Sequence, residues 1–185
     1  MTLTKTPVCD FGKKAVHFKL KSTNNKLVSL NDIKGENATL IMFICNHCPY
    51  VKAIIKELIN DCKMLQKKGI STVAIMSNDT INYKKDSFEN MIKFAKENSF
   101  ENIDYLIDQT QEVAKQYEAV CTPDFFGYNR DLKLQYRGRF KEIKNLKPNK
   151  NDESDLKTAM QTISLTQVGP YKQIPSMGCN IKWFK

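Results

Sequence analysis

The sequence has no long hydrophobic run. Its longest apolar stretch, Leu40 to Cys45, is the length of a strand and far short of the roughly 20 residues of a membrane-spanning helix. The opening residues, Met1 to Thr6, lack the apolar segment of a secretory signal. We therefore expect a cytoplasmic protein with no membrane partner.

Histidine is scarce, with only His17 and His47, and one closely spaced cysteine pair occurs among six cysteines. A structural zinc site needs four ligands, usually including a second close pair, which this sequence does not provide. We therefore expect no bound metal and no cofactor. A zinc-binding or redox-sensing module remains the third functional hypothesis.

The charge is strongly positive, with 29 basic and 20 acidic residues and a formal net charge of +9. The lysines are spread along the chain, without the basic stripe interleaved with aromatic residues that single-strand binders use. We therefore expect no nucleic-acid partner.

The 185 residues, 41% of them hydrophobic, suffice for one globular domain with its own core. We expect a single domain over 1–185, with a core at about 12–165 and a tail at 166–185 that packs on it. No sequence feature indicates the oligomeric state.

Hydrophobic periodicity predicts strands that alternate with helices, followed by two consecutive strands and a final helix, which is the order of a mixed α/β fold. The first two strands are separated by a turn and predict an N-terminal hairpin. The predicted strands are 16–20, 26–30, 38–44, 71–76, 103–107 and two within 125–136. The predicted helices are one from the Cys45–Cys48 region to before Gly69, one at 86–98, one after Asp108 and one around 156–163. We expect a polar loop at 141–153 and an irregular tail from Thr166 until 181–184.

The motif Cys45-Asn46-His47-Cys48-Pro49 joins a buried strand to the longest amphipathic helix. Pro49 lacks an N–H and fits only the first turn of a helix, so the cysteines lie at its N-terminus. Unpaired N–H groups and the helix dipole there stabilise a thiolate. The spacing predicts a redox-active pair in which Cys45 is the exposed nucleophile and Cys48 resolves the mixed disulfide.

His47 lies between the two cysteines. A protonated imidazole favours a neighbouring thiolate, which stabilises the reduced pair. Dithiol couples span roughly −270 to −120 mV, and we expect this one in the less reducing half of that range.

The order of elements, with Thr122-Pro123 before two strands, resembles the thioredoxin superfamily. The resemblance implies a thioredoxin-like fold, in which Pro123 is a cis-proline facing the cysteine pair and Thr122 offers its backbone to a bound peptide. It also implies a protein substrate with a thiol or disulfide, and an external thiol reductant.

More narrowly, the chain resembles the peroxiredoxin-like proteins related to the redoxin, AhpC/TSA and TlpA/ResA groups. The residues that carry this resemblance are 45–51, 121–126, 136–139 and 178–183. True peroxiredoxins have a Pro-x-x-x-Thr-x-x-Cys pattern, which neither cysteine register supplies here. A thiol peroxidase with assistance from Arg137 or Arg139 is therefore the alternative to a thiol–disulfide oxidoreductase.

Four cysteines lie outside the motif. Cys121, two residues before Pro123, and Cys179, in the tail, are either auxiliary thiols or structural ones. Cys62 falls on the apolar face of the long helix and Cys9 in a segment without pattern, so we expect both to be inert.

Overall fold

The computed structural model describes residues 2–149 and 153–184. Over these residues the chain forms twelve strands and four helices. The strands are β1 (Leu3–Lys5), β2 (Lys19–Ser22), β3 (Leu27–Ser29), β4 (Ala38–Phe43), β5 (Ile70–Met76), β6 (Asp104–Ile107), β7 (Cys121–Thr122), β8 (Asp124–Asn129), β9 (Leu134–Tyr136), β10 (Ile143–Lys144), β11 (Lys147–Pro148) and β12 (Met177–Asn180). The helices are α1 (Pro49–Gln66), α2 (Phe88–Glu97), α3 (Glu112–Gln116) and α4 (Asp155–Thr166).

The central sheet has the strand order β3-β2-β6-β5-β4-β8-β9. β4 pairs in parallel with β5, and β5 pairs in parallel with β6, while the remaining pairs are antiparallel. The predicted mixed sheet and N-terminal hairpin are thus confirmed. All six residues of β4 are buried, as expected for a strand covered on both faces.

α1 lies across one face of this sheet. Its apolar positions, including Ile54, Leu58 and Leu65, recur at helical spacing and are buried against the sheet and α4. Gly69 follows the helix with φ +72°, a conformation that favours glycine. Truncating a fully buried side chain such as Leu58 to alanine costs about 2–5 kcal/mol in comparable cores.

The first strand of the hairpin begins later than predicted, at Lys19 and not at residue 16. The residues before it bond to other parts of the chain. Gly12 and Ala15 donate backbone hydrogen bonds to the carbonyl groups of Leu134 and Leu132. The Val16 carbonyl accepts a hydrogen bond from the Tyr117 hydroxyl. These long-range contacts override the local alternation.

The tail and the loop before α4 also differ from expectation. We predicted an irregular tail until 181–184, but β12 lies at 177–180, between β1 and β7 in a second sheet, and 181–184 is not a strand. The predicted loop at 141–153 contains the β10–β11 pair, and its residues 150–152 lie outside the described residues. None of the helices in the described ranges combines the length and the hydropathy needed to span a bilayer.

Candidate active site

Both motif cysteines lie in the turn between β4 and α1. Cys48 occupies the cap position that precedes Pro49, so the helix starts at the end of the motif, as predicted. The side chains are buried, with Cys45 1% exposed and Cys48 0% exposed. The expectation that Cys45 is exposed is therefore wrong.

Thr122 lies next to both motif thiols. The Thr122–Pro123 peptide bond is cis, which confirms the prediction made from the sequence. The Thr122 hydroxyl lies 3.3 Å from Cys45 Sγ, and the protonated Cys48 thiol donates to the Thr122 carbonyl oxygen at 3.1 Å. The cis-proline segment and the cysteine pair thus form one site, although they are more than 70 residues apart in sequence.

The electrostatics of the pair favour a thiolate on Cys48. A hydrogen bond from the Cys45 thiol is the largest cause that lowers the pKa of Cys48 to about 5, and the backbone N–H groups of Val51 and Cys179 add to it. The pKa of Cys45 is raised well above its usual range by Cys48, by burial and by the charge of Asp86. The Cys45 thiol thus lowers the pKa of Cys48, and the Val51 N–H in the first turn of α1 adds to this effect.

His47 is held by Asp86, a residue that the sequence analysis did not identify. His47 Nδ1 lies 2.6 Å from Asp86 Oδ2 but 3.9 Å from Cys45 Sγ, so the shorter contact favours a proton shared with the carboxylate. The ring also stacks on Tyr83, with centroids 5.9 Å apart. Asp86 therefore positions the imidazole that we expected to tune the thiols.

Asp86 binds the backbone of the turn between β4 and α1. Its fully buried carboxylate accepts the backbone N–H groups of Asn46 and His47 and the side-chain amide of Asn78. It lies in a 3₁₀ turn, with Ser87 as the cap of α2, so the helix predicted at 86–98 is shorter than expected. An Asp-Ser pair before an apolar periodic segment is typical of a helix start. The sequence therefore shows no sign that the Asp86 carboxylate binds the motif.

The C-terminal strand covers the site. β12 pairs antiparallel with β7, and Cys179 lies opposite Thr122. Burial, followed by interaction with Cys48, raises the pKa of Cys179 to about 12. Lys182 then ties the tail to the loop after β5, because its N–H donates to Asn78 Oδ1 and its carbonyl accepts the Asp79 N–H.

The remaining thiols have different surroundings. Cys121 Sγ lies 3.5 Å from the Pro123 carbonyl oxygen, and burial raises its pKa. Burial also raises the pKa of Cys62 to about 12 and that of Cys9 to about 11. Cys121 and Cys62 are buried and Cys9 is half-buried, surroundings that disfavour the thiolate form.

The two arginines proposed to assist a peroxidase are engaged elsewhere. Arg137 pairs with the buried carboxylate of Asp124 at 3.0 Å and donates to the Glu118 carbonyl. Arg139 pairs with Asp155 at 2.6 Å. Their charges are thus balanced by carboxylates.

Within residues 2–149 and 153–184, one group of side chains could hold a metal ion. Cys45, His47 and Asp86 each offer a ligand atom, and these atoms lie within 4.8 Å of one another. Zinc commonly takes four ligands, so a fourth would have to come from water or another group. In this structure the His47 and Asp86 ligand atoms are instead bonded to each other.

A cavity of about 260 Å³ adjoins the cis-proline. Pro123 and Tyr50 form part of its wall, and the tail contributes Ile174 and Met177. On the other side of the motif, His47 borders an open cavity of about 440 Å³ with lysines at its rim. His47 is the one motif residue, from 45 to 48, that is not fully buried.

Comparison with solved structures identifies two proteins that are similar over nearly the whole length. An uncharacterized conserved protein from Geobacillus kaustophilus is 42% identical, with a TM-score of 0.91, and the match covers 100% of this chain and 97% of that one. A hypothetical protein from Sinorhizobium meliloti 1021 is 33% identical, with a TM-score of 0.90 and 98% of both chains covered.

The fold extends to more distant structures. The thioredoxin domain of a thiol-disulfide oxidoreductase from Bacteroides vulgatus is 18% identical, with a TM-score of 0.58, over 69% of this chain and 86% of that one. No curated protein matches the sequence. Residues 11–140 match the AhpC/TSA family, a range that holds the cysteine motif and the cis-proline. The chain therefore belongs to the AhpC/TSA family and has the thioredoxin-like fold that the sequence predicted.

Proposed function

We propose that this protein is a thiol–disulfide oxidoreductase in which Cys45 and Cys48 alternate between a dithiol and a disulfide. The observation that carries the proposal is that both thiols meet Thr122 at the N-terminus of α1, with Cys45 Sγ 3.3 Å from its hydroxyl and Cys48 Sγ 3.1 Å from its carbonyl oxygen. Two thiols held against one residue in this way are close enough to form a disulfide after a small movement, and the lowered pKa of Cys48 makes it the thiolate.

The reaction starts from the Cys48 thiolate. It attacks one sulfur of a partner disulfide and releases the other as a thiolate, which forms a mixed disulfide at Cys48. Cys45 then loses its proton and attacks Cys48 Sγ, so the second partner sulfur leaves and the Cys45–Cys48 disulfide forms. The partner gains two electrons, and an external thiol reductant restores the dithiol.

These roles reverse the sequence-based assignment, which placed the nucleophile at Cys45. The reversal rests on the donors around Cys48, since the Cys45 thiol and the N–H groups of Val51 and Cys179 all stabilise a charge there. Asp86 opposes a second charge on Cys45.

The partner in this proposal is a protein segment that carries a thiol or a disulfide. Thr122 lies on a strand edge next to both thiols, and an extended segment binds such an edge through main-chain hydrogen bonds. The cavity beside Pro123 could take a neighbouring side chain of that segment, because apolar residues such as Tyr50 and Ile174 line it together with charged ones. In this structure β12 pairs with the same edge of β7. In the proposal, β12 detaches and the partner segment takes its place.

A glutathione redox titration, quenched by alkylation and read by mass spectrometry, tests the function. Trypsin releases Cys45 and Cys48 on one peptide, 35–52, which takes two alkyl groups when reduced and none when it carries the internal disulfide. We expect the two-alkyl form to convert directly to the unalkylated form as one two-electron couple. Independent titration of the two cysteines would refute the proposal. Cys62→Ala is the matched control, because it removes a buried thiol from the core and should leave the couple in place.

Single variants separate the two roles. In a Cys179→Ser background, we expect Cys45→Ser to accumulate a mixed disulfide with a partner peptide at Cys48, and Cys48→Ser to form none at comparable rate. The opposite result would return the attack to Cys45 and leave the disulfide couple intact.

A thiol peroxidase is the second candidate, and the acidic thiol of Cys48 favours it. Attack of the thiolate on a hydroperoxide would give a Cys48 sulfenic acid and an alcohol or water, and Cys45 would resolve the sulfenic acid to the same disulfide with loss of water. The missing Pro and Thr and the engagement of both arginines with other carboxylates weigh against it. Rapid loss of hydroperoxide with a trapped Cys48 sulfenic acid in Cys45→Ser/Cys179→Ser would favour the peroxidase.

A further inference from the structure

The tail strand occupies the edge of β7 next to the cis-proline. Cys179 lies opposite Thr122, and Asn180 lies opposite Cys121, in antiparallel register. Gly178 makes the approach possible, because a Cβ there would lie 2.7 Å from the Thr122 carbonyl carbon and closer still to its oxygen. The chain thus places one of its own cysteines at the strand edge that a partner segment would use.

Cys179 also faces Cys48. As the cross-strand partner of Thr122, it lies on the same face of the sheet as the Thr122 side chain, and Cys48 Sγ lies 3.1 Å from the Thr122 carbonyl oxygen. Interaction with Cys48 is, after burial, a cause that raises the pKa of Cys179. Cys121, the neighbour of Thr122 on the same strand, instead directs Sγ to the Pro123 carbonyl oxygen at 3.5 Å. Consecutive residues of a strand point to opposite faces, which accounts for the difference.

We infer that Cys179 is a third redox thiol of this site and forms an intramolecular disulfide with Cys48. The inference rests on the proposed function, since the Cys45–Cys48 disulfide is its starting point. Cys179 loses its proton and attacks Cys48 Sγ, the Cys45–Cys48 bond breaks as the Cys48–Cys179 bond forms, and Cys45 leaves as a thiolate that takes up a proton. The exchange consumes no oxidant, because one disulfide replaces another.

The tail cysteine therefore acts as a built-in partner. While Cys48 is bonded to Cys179, β12 is covalently held over the site and Cys45 is released as a thiol. A reductant that attacks the Cys48–Cys179 bond restores all three thiols and allows β12 to separate from β7.

The test uses full-length Cys45→Ser with oxidised glutathione. The Cys48 thiolate attacks glutathione disulfide and releases one glutathione, and Cys179 then attacks Cys48 and releases the second. After quenching with N-ethylmaleimide and digestion with trypsin, we expect peptide 35–52 linked to peptide 173–182. The double variant Cys45→Ser/Cys179→Ser should instead retain glutathione on Cys48 and lose the linked peptide.

Cys121 supplies the matched control. Cys45→Ser/Cys121→Ser should form the same link between 35–52 and 173–182 as Cys45→Ser does. A link from 35–52 to 116–130, which carries Cys121, or a stable glutathione adduct on Cys48 with Cys179 alkylated, would overturn the inference. If Cys45→Ser does not fold, the wild-type protein quenched early in oxidation serves, and the linked peptide should appear as a transient species.

The two proposals fail separately. Loss of the Cys45–Cys48 couple in the wild type would refute the oxidoreductase, whatever Cys179 does. Absence of the 35–52/173–182 link, with the wild-type couple intact, would refute the third thiol alone.

Discussion

Gly178 packs on the carbonyl group of Thr122 so closely that no larger residue fits between the two strands. This contact brings β12 onto the edge of β7 and places Cys179 opposite Thr122. As a result, Thr122 faces the two motif thiols on one side and the C-terminal strand on the other. The C-terminal strand therefore lies against the segment that contacts both motif cysteines.

Substitution Gly178→Ala should uncover the thiols. The added Cβ overlaps the Thr122 carbonyl, and overpacking of this kind costs roughly 1–3 kcal/mol, which would raise the population with β12 detached roughly 5- to 150-fold. We expect the alkylation of Cys48 in the reduced protein to accelerate by a factor in that range. Rates by mass spectrometry under native conditions measure it.

Gly35→Ala is the matched control. Its Cβ would meet backbone atoms as closely, with Ser71 N at 2.7 Å, but next to Ala38 at the start of β4 and so at the opposite end of that strand from Cys45. It should reduce stability without a specific gain in Cys48 alkylation. Equal acceleration in both variants would indicate general loosening of the fold and contradict a covering role for β12.

The acidity of Cys48 predicts an unusual pH profile. The thiolate is the reactive form, and with a pKa of about 5 it is already dominant near neutral pH, whereas an ordinary thiol is dominant only above about 8.5. In Gly178→Ala, where the thiol is accessible, we expect the alkylation rate of Cys48 to rise between about pH 4 and 6 and then to level off. A rate that continues to climb to pH 9 would show that Cys48 titrates as an ordinary thiol.

Asp86→Asn should lower the pKa of Cys45. The negative charge of Asp86 is one of the causes that raise it, and asparagine removes the charge while keeping a side chain of similar size. The comparison is made in a Cys48→Ser background, where Cys45 titrates without its partner, by following the ultraviolet absorption of the thiolate. Asp32→Asn, at an exposed carboxylate next to Ser29, is the control and should leave the titration unchanged. An unchanged titration in Asp86→Asn would show that the charge of Asp86 does not affect the pKa of Cys45.

The sequence predicted the parts of the site that have local signals. Pro49 marks the helix start next to the cysteines, and Thr122-Pro123 carries the resemblance to the thioredoxin superfamily, which implied that these two segments meet. Apolar periodicity likewise located α1, because its buried face repeats at helical spacing.

The remaining parts depend on contacts between distant segments. Asp86 binds Asn46 and His47 across about 40 residues, and nothing in its neighbours indicates a buried acceptor. β12 pairs with β7 because Gly178 fits closely against Thr122. Its four residues do not alternate between apolar and polar side chains, so their sequence does not indicate a strand. The burial of Cys45 depends on Thr122, which lies 77 residues away in sequence, and could not be predicted from the motif alone.

The Arg137–Asp124 pair gives a prediction on stability. Arg137→Leu would leave the carboxylate of Asp124 buried without its counter-charge, and loss of one partner of a buried pair costs about 3–5 kcal/mol. Burial already raises the pKa of Asp124 while Arg137 lowers it, so the variant should raise that pKa further. The folded variant then holds a proton that the unfolded chain releases above about pH 4, and the destabilisation should grow as the pH rises.

Urea unfolding of the wild type and of Arg137→Leu at pH 5 and pH 7 would measure both effects. Arg137→Leu/Asp124→Asn should recover part of the loss and remove most of its pH dependence, because no carboxylate remains to be ionised. If Arg137→Leu unfolds as the wild type does yet slows the reaction of Cys48, the arginine acts on the thiols. That outcome would contradict the structural role assigned to the pair and would favour the assistance that the peroxidase hypothesis requires.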